Sequence, residues 1–313
     1  MRNYIYSLIV GLLVLSNSFA QHEGAFLEWV YQTKGSGSLL GQGIMDMVVD
    51  KEDNIYLLGV ISDTVIFNFH DSTHIYGHME GNNSTMWFLA KYSPQAELFW
   101  VLPFYDLKSD NCKMKIDNDY LRVIGYSGNE TTIDFTPETY GGEVTVGEKS
   151  IFMATFSHDG EFVSAIPLCQ GASIITIFYD MAICDSTQTL SICGTFENNM
   201  NFDLRPDSSY TLGESEASHN FVANYNYDGT LSWAKAIDVS NQTGSTRKFV
   251  DVTMDEEGNT FWVGPFRETI FLDDYSENHP PLISYQPSSS LHDVFLVKYD
   301  ALGKVVWQSQ ISA

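Results

Sequence analysis

The sequence predicts an all-β chain of four repeated units. Two observations carry that reading: an apolar strand ending in glycine returns four times, and a strand alternating aromatic and small residues follows about thirty residues after each copy. No stretch after residue 20 spaces its apolar residues three and four apart over a helical length. The first element reads Ile55-Tyr56-Leu57-Leu58-Gly59, Leu121-Arg122-Val123-Ile124-Gly125, Leu190-Ser191-Ile192-Cys193-Gly194 and Thr260-Phe261-Trp262-Val263-Gly264, and its glycines lie 66, 69 and 70 residues apart. Units of this length, made of short strands, cannot bury their own faces and must stack on neighbours.

Each unit opens with a strand that ends in an acidic turn, as in Met47-Val48-Val49-Asp50 and in Val252-Thr253-Met254 before Asp255-Glu256-Glu257-Gly258-Asn259. The glycine-terminated strand follows, then a long excursion in the regions 67–85, 135–149, 203–218 and 272–292. Next comes Phe88-Leu89-Ala90-Lys91-Tyr92, with counterparts Phe152 to Phe156, Phe221 to Tyr225 and Phe295 to Tyr299. A period of two puts the aromatic, small and aromatic side chains on one face, where the small residue leaves room for a ring from a neighbouring sheet. That pattern reads as a packing stripe, each aromatic contributing about 1.5–3 kcal/mol on burial. Tight turns follow at Ser93-Pro94-Gln95-Ala96, Ser157-His158-Asp159-Gly160, Asn226-Tyr227-Asp228-Gly229 and Asp300-Ala301-Leu302-Gly303. Asp, Asn or Ser at their start accepts a backbone hydrogen bond, and glycine at the end supplies a positive φ. The closing strand carries Trp100, Val163, Trp233 and Trp307 as its recurrent residue.

Four antiparallel strands per unit give repeats at approximately 44–104, 111–169, 178–238 and 248–311. A four-stranded meander repeated about a centre describes a β-propeller blade, so the expected fold is β-propeller-like. An extra N-terminal strand, Phe26-Leu27-Glu28-Trp29-Val30-Tyr31, resembles the closing strands Leu98-Phe99-Trp100-Val101 and Val305-Val306-Trp307-Gln308-Ser309. Both termini offer the same element and compete for one slot. The expectation is therefore an open arc with a loose extra strand, or an incomplete portion of a longer ring, with an apolar blade edge through which the chain self-associates.

As a set, these motifs resemble the SBBP family, the β-propeller repeats of secreted bacterial proteins. The residues that carry the resemblance are the Asp-x-x-Gly-Asn turn, whole only at Asp255 to Asn259, the Gly-terminated strand, Phe88 to Tyr92, and the run Asp228 to Lys235. Repeats one and four match well and repeat two is degraded. The resemblance implies a propeller-like fold in an exported protein and brings no catalytic residues.

Residues 1–20 read as a signal peptide: Arg2 supplies the positive start, Ile5 to Leu15 an apolar run too short to span a bilayer, and Ser18-Phe19-Ala20 a cleavage site. Cleavage after Ala20 leaves a single repeat domain, 21–313, expected in the periplasm, outside the cell or at its surface without membrane insertion. Forty acidic against sixteen basic residues, a net charge of −24, exclude nucleic acid and anionic lipid as partners. Acidic turns supply oxygen ligands that suit calcium, among them Asp50, Asp53 and Asn54, Asp117 and Asp119, and Asp255, Glu257 and Asn259, but none shows the twelve-residue calcium-loop pattern. Cys112, Cys169, Cys184 and Cys193 are expected as free, mostly buried thiols. Aligning repeats three and four places Cys184 opposite Leu190, so that Cys193 points to the other face.

His70, His74 and His78 fall at intervals of four, with Asp71 and Glu80 beside them. On a helix that spacing suits zinc or copper, but Gly77, Thr73 and Ile75 oppose a helix, and on an extended strand the rings stand about 13 Å apart. There is no Gly-x-Ser-x-Gly elbow, His-Glu-x-x-His, phosphate loop or Cys-x-x-Cys. The expected function is a secreted or cell-surface binding or scaffolding module, non-catalytic, for an extracellular protein or glycan. The alternative is an extracellular carbohydrate-active hydrolase or lyase whose acids converge at the channel mouth.

Overall fold

The computed structural model describes residues 43–61, 65–67, 75–76, 86–104, 112–136, 142–171, 176–239, 250–273, 279–285 and 292–312. Residues 1–20, expected as a signal peptide, residues 26–31, expected as an extra strand, and His70, His74 and His78 lie outside the described residues. Every regular element described is a β-strand, and all pairings are antiparallel.

Repeat one runs β1 (Gly43–Val49), β2 (Ile55–Ile61), a hairpin of β3 (Val65–Ile66) and β4 (Ile75–Tyr76), then β5 (Met86–Tyr92) and β6 (Leu98–Phe104), with sheet order β1-β2-β5-β6. Repeat two has the same plan in β7 (Lys113–Ile116), β8 (Tyr120–Ser127), the hairpin β9 (Thr131–Asp134) and β10 (Glu143–Val146), β11 (Ser150–Ser157) and β12 (Phe162–Gly171). Repeat three comprises β13 (Thr176–Cys184), β14 (Thr189–Asn201), β15 (Thr211–Asn226) and β16 (Leu231–Asp238); its excursion is absorbed into the long arms of β14 and β15. Repeat four comprises β17 (Asp251–Met254), β18 (Thr260–Phe266), the hairpin β19 (Thr269–Ile270) and β20 (Leu282–Ile283), β21 (Asp293–Tyr299) and β22 (Val305–Ile311). Repeats two and three merge into one sheet where Gln170 and Gly171 pair Asn201 and Met200. The first strands neighbour one another in chain order, β1 beside β7, β7 beside β13 and β13 beside β17.

The shared glycine has a direct steric cause. Gly59, Gly125, Gly194 and Gly264 pair Phe88, Phe152, Phe221 and Phe295, and each ring folds across the strand onto its glycine. A Cβ there would lie 2.5, 2.6, 2.7 and 3.0 Å from the ring atoms. All three members of the aromatic-small-aromatic stripe are buried in every repeat. The closing tyrosines do a second job: the hydroxyls of Tyr92, Tyr225 and Tyr299 donate to the carbonyls of Phe67, Phe202 and Leu272 at 3.0, 3.0 and 2.9 Å, tying down the start of each excursion. Phe156 has no hydroxyl, and in repeat two Phe135 is held by rings instead, 5.9 Å from Phe156 and 4.9 Å from Phe162.

The third-to-fourth-strand turns form as their residues dictate. Ser93, Ser157 and Asp300 each accept two backbone N–H groups of their own turn, whereas Asn226 donates its Nδ2 to Thr230 Oγ1 and Asp228 accepts the Thr230 amide; Gly160, Gly229 and Gly303 take φ of 84, 84 and 75°. Ala96 takes the same place at φ 62°, a conformation that costs a residue with a Cβ about 1 kcal/mol.

Two register assignments need correction. The residue of repeat two that corresponds to Trp100, Trp233 and Trp307 is Ser164, which pairs Thr155 as those residues pair Lys91, Asn224 and Lys298; Val163 is the exposed neighbour, like Phe99 and Val306. Cys184 pairs Thr189, not Leu190, because the link between Ile183 and Leu190 is one residue longer than that between Met254 and Thr260. Cys184 and Cys193 therefore share a face, and four residues along a strand separate them by about 13 Å. All four cysteines are free and buried.

Candidate functional site

The first strands bring side chains of different repeats together at two levels. At the first, Asp46, Lys113, Asp180 and Asp251 hold one register position, each opposite the residue just before the shared glycine. Asp46 accepts its own neighbour's amide, Met47 N, at 3.0 Å and reaches across to Met114 N of repeat two at 2.9 Å. Asp180 hydrogen-bonds Asp251 of repeat four. Burial foremost, then that bond, pushes its pKa up from 3.8 to about 7, so it holds a proton to donate below neutrality. Burial also raises the pKa of Cys193, which stands opposite Asp180, and the charges of Asp180 and Asp251 add to the effect. Two carboxyls in hydrogen-bond contact are closer than the roughly 5–10 Å that glycoside hydrolysis requires. They act here as a hydrogen-bonded clasp between repeats three and four.

Where the first strands enter their turns, three repeats line an open cavity of about 540 Å³. Ile116, Ile183 and Met254, equivalent residues of repeats two, three and four, supply its apolar lining. Asn118, Asp185, Ser186, Asp255 and Glu256 supply most of its polar lining, beside Cys184. The wall is stiffened across the junction: Ser186 Oγ donates to the carbonyl of Glu256, and Cys184 Sγ approaches that carbonyl at 3.6 Å. Burial opposes the Cys184 thiolate, but hydrogen bonds from Ser186 and Thr187 outweigh it and lower the thiol's pKa. Asp185 accepts the hydroxyl of Tyr227 at 3.3 Å.

Asp255, Glu257 and Asn259 come together as one turn. Asp255 Oδ1 accepts the amides of Glu257 and Asn259 at 3.1 and 2.9 Å, and Oδ2 accepts Asn259 Nδ2 and Lys298 Nζ at 2.8 and 2.9 Å. Burial works against its charge, yet Asn259 and Lys298 hold its pKa at about 2, below the model-peptide value. The carboxylate thus faces donors on every side, and Asn259 turns its NH2 group, not its oxygen, toward Asp255 and Glu257. Asp50 and Asp117 fill the same role, Asp50 for Asn54 and Tyr56, Asp117 for Asp119, Tyr120 and a buried 2.6 Å ion pair with Arg122. Among the described residues no three His, Cys, Asp or Glu side chains are placed to hold a metal ion.

The clasp and the cavity were not singled out from the sequence. Their signal was present: Asp46, Asp180 and Asp251 stand 13, 14 and 13 residues before a shared glycine, and Lys113 stands 12 before its own. A bulge or a one-residue change of turn length shifts each offset, so the alignment emerges only from pairing.

No known family model matches this chain, and no curated protein matches it. Among solved structures the chain is similar to a protein of unknown function from Bacteroides caccae, at 10% identity and a TM-score of 0.27, over 82% of this chain and 93% of the other.

Proposed function

We propose that this chain is an exported β-propeller-like repeat protein of the SBBP kind, acting as a non-catalytic binding module that takes a glycan or protein segment into the cavity between repeats two, three and four. The observation that carries the reading is the cavity itself. It is open to solvent, its volume is about 540 Å³, and its mixed lining of apolar side chains with amide, hydroxyl and carboxylate groups suits sugar hydroxyls or a peptide backbone. Three successive repeats contribute equivalent residues to it, which is how repeat stacks build binding surfaces. The propeller reading is supported by the four meanders and by the succession of neighbouring first strands, and the SBBP reading rests on the repeat motifs. Export rests on the charged start, apolar run and Ser-x-Ala site, which imply a mature N-terminus at Gln21.

The test is a screen of the purified protein on immobilised glycans and extracellular proteins, run beside a polysaccharide-degradation assay and with the cavity-filling variant Ser186→Trp. The expected result is a retained ligand that S186W loses at least tenfold, with no change in polysaccharide length. Binding indifferent to S186W would move the site elsewhere, and shortening of the polysaccharide would favour the hydrolase or lyase reading.

A further inference from the structure

Successive repeats stack face on face, and the last one shows a stacking face that is partly exposed. The residue before the shared glycine and the one after the shared phenylalanine are 0% exposed in repeats one to three, as Leu58 and Leu89, Ile124 and Met153, Cys193 and Val222. Their equivalents in repeat four, Val263 and Leu296, are both partly exposed. Strands β5 and β11 are buried on both faces, whereas β21 alternates buried and half-exposed along its length.

The open face also carries a constellation whose purpose is visible elsewhere in the chain. In repeat one, Tyr56 and Trp100 meet edge-on at 6.1 Å and 66°, with Lys91 Nζ 5.1 Å from the Tyr56 ring. That triad grips the Ser157–Gly160 turn of repeat two: Lys91 Nζ and Trp100 Nε1 both donate to the His158 carbonyl, at 3.2 and 3.3 Å, and Gly160 lies on the indole so closely that a Cβ would stand 3.0 Å from it. In repeat four, Phe261 and Trp307 meet at 6.1 Å and 60°, with Lys298 Nζ 4.9 Å from the Phe261 ring. Here Trp307 is 38% exposed. Lys298 bonds Asp255 at 2.9 Å, and an ammonium has two further donors.

We propose that the Phe261–Lys298–Trp307 face is a docking surface for a further β-repeat of the same design, gripped through a Ser-x-x-Gly turn as repeat one grips repeat two. A second copy of this chain is a poor occupant. The face of repeat one that would have to meet it is already buried, Ile55, Phe88, Ala90 and Tyr92 being 5, 3, 0 and 4% exposed, and a net charge of −24 repels like chains.

The probe is repeat two itself, offered in two forms. In the first, a copy of residues 105–171 is appended after Ala313. Acrylamide quenching of Trp307, taken as the difference from Trp307→Phe, should fall to the level of Trp100, and replacing the appended copy's glycine (that of Gly160) by leucine should restore it. In the second, a disulfide-closed hairpin peptide spanning 155–164 is titrated onto the unextended chain, with a saturable blue shift of Trp307 emission expected. An appended repeat that folds, by its added strand signal, yet leaves Trp307 as quenchable as before overturns the proposal; so does an appended repeat that stays unfolded together with a peptide that gives no shift. Light scattering of the unextended chain that finds a dimer with Trp307 shielded overturns the choice of partner.

Discussion

Replacing Gly194 by alanine should unfold this protein more readily than any other alanine placed at a shared glycine. The added Cβ would lie 2.2 Å from the carbonyl oxygen of Ile177 and 2.7 and 3.0 Å from Cε1 and Cζ of Phe221, which is itself 0% exposed. No carbon sits so close to an oxygen, so β13 must move away from β14 beside its bulge at Phe178 to Asp180. Overpacking of this kind costs about 1–3 kcal/mol, and loosening a ladder hydrogen bond adds about 1 kcal/mol. Stiffening of the unfolded chain returns roughly 0.4–1 kcal/mol, leaving a net loss of about 2–3 kcal/mol. Gly125→Ala meets the Phe152 ring first, at 2.6 and 2.9 Å, and then Cys112 Sγ at 3.4 Å, with no backbone atom nearer, so it should cost about 1–2 kcal/mol. Gly43→Ala meets nothing within 4 Å and should be neutral within about 0.5 kcal/mol. Urea unfolding followed by circular dichroism should show the midpoint of G194A lowered by about 0.5–1 M, with G125A between it and G43A. A G194A variant as stable as G43A would refute the argument that the ring and the Ile177 carbonyl dictate glycine.

Three further outcomes follow from the same geometry. Tyr225→Phe removes the buried hydroxyl that holds the Phe202 carbonyl and should cost about 1–2 kcal/mol in the same assay; no loss would mean the excursion is held by its rings, as in repeat two. Asp180 binds its proton more tightly when folded, its pKa moving from 3.8 to about 7, so its contribution to stability is full below about 4 and lost as pH rises through about 7; Asp180→Asn should flatten that decline, and unchanged curves would dissolve the clasp. Thiol titration in denaturant without reductant should find all four cysteines, whereas disulfide-linked peptides would contradict their separation.

The repeat frame was legible because the contact that imposes it is local. A glycine under a cross-strand phenylalanine fixes two residue types at a near-constant spacing, and the Ser, Asn or Asp turn starts are set by hydrogen bonds within four residues. What failed were assignments that depend on counting through a turn: one residue moved Val163 into the place of Ser164, and one more moved Cys184 away from Leu190. In repeats one and four the excursions read as loops because two-residue strands such as β4 and β20 leave no periodicity to detect. The candidate site was hidden for a related reason. The cavity draws on three repeats and the clasp on two, and none of their members stands out within its own repeat.

Hydroxyl-radical footprinting, read residue by residue by mass spectrometry, tests most directly whether one stacking interface recurs along this chain, closed three times and open once. The open face should be labelled at Leu296 and Trp307 while Leu58, Leu89, Val222 and the intrinsically reactive Met153 stay protected. Equal protection of Leu296 and Leu89, or strong labelling of Met153, would contradict the account.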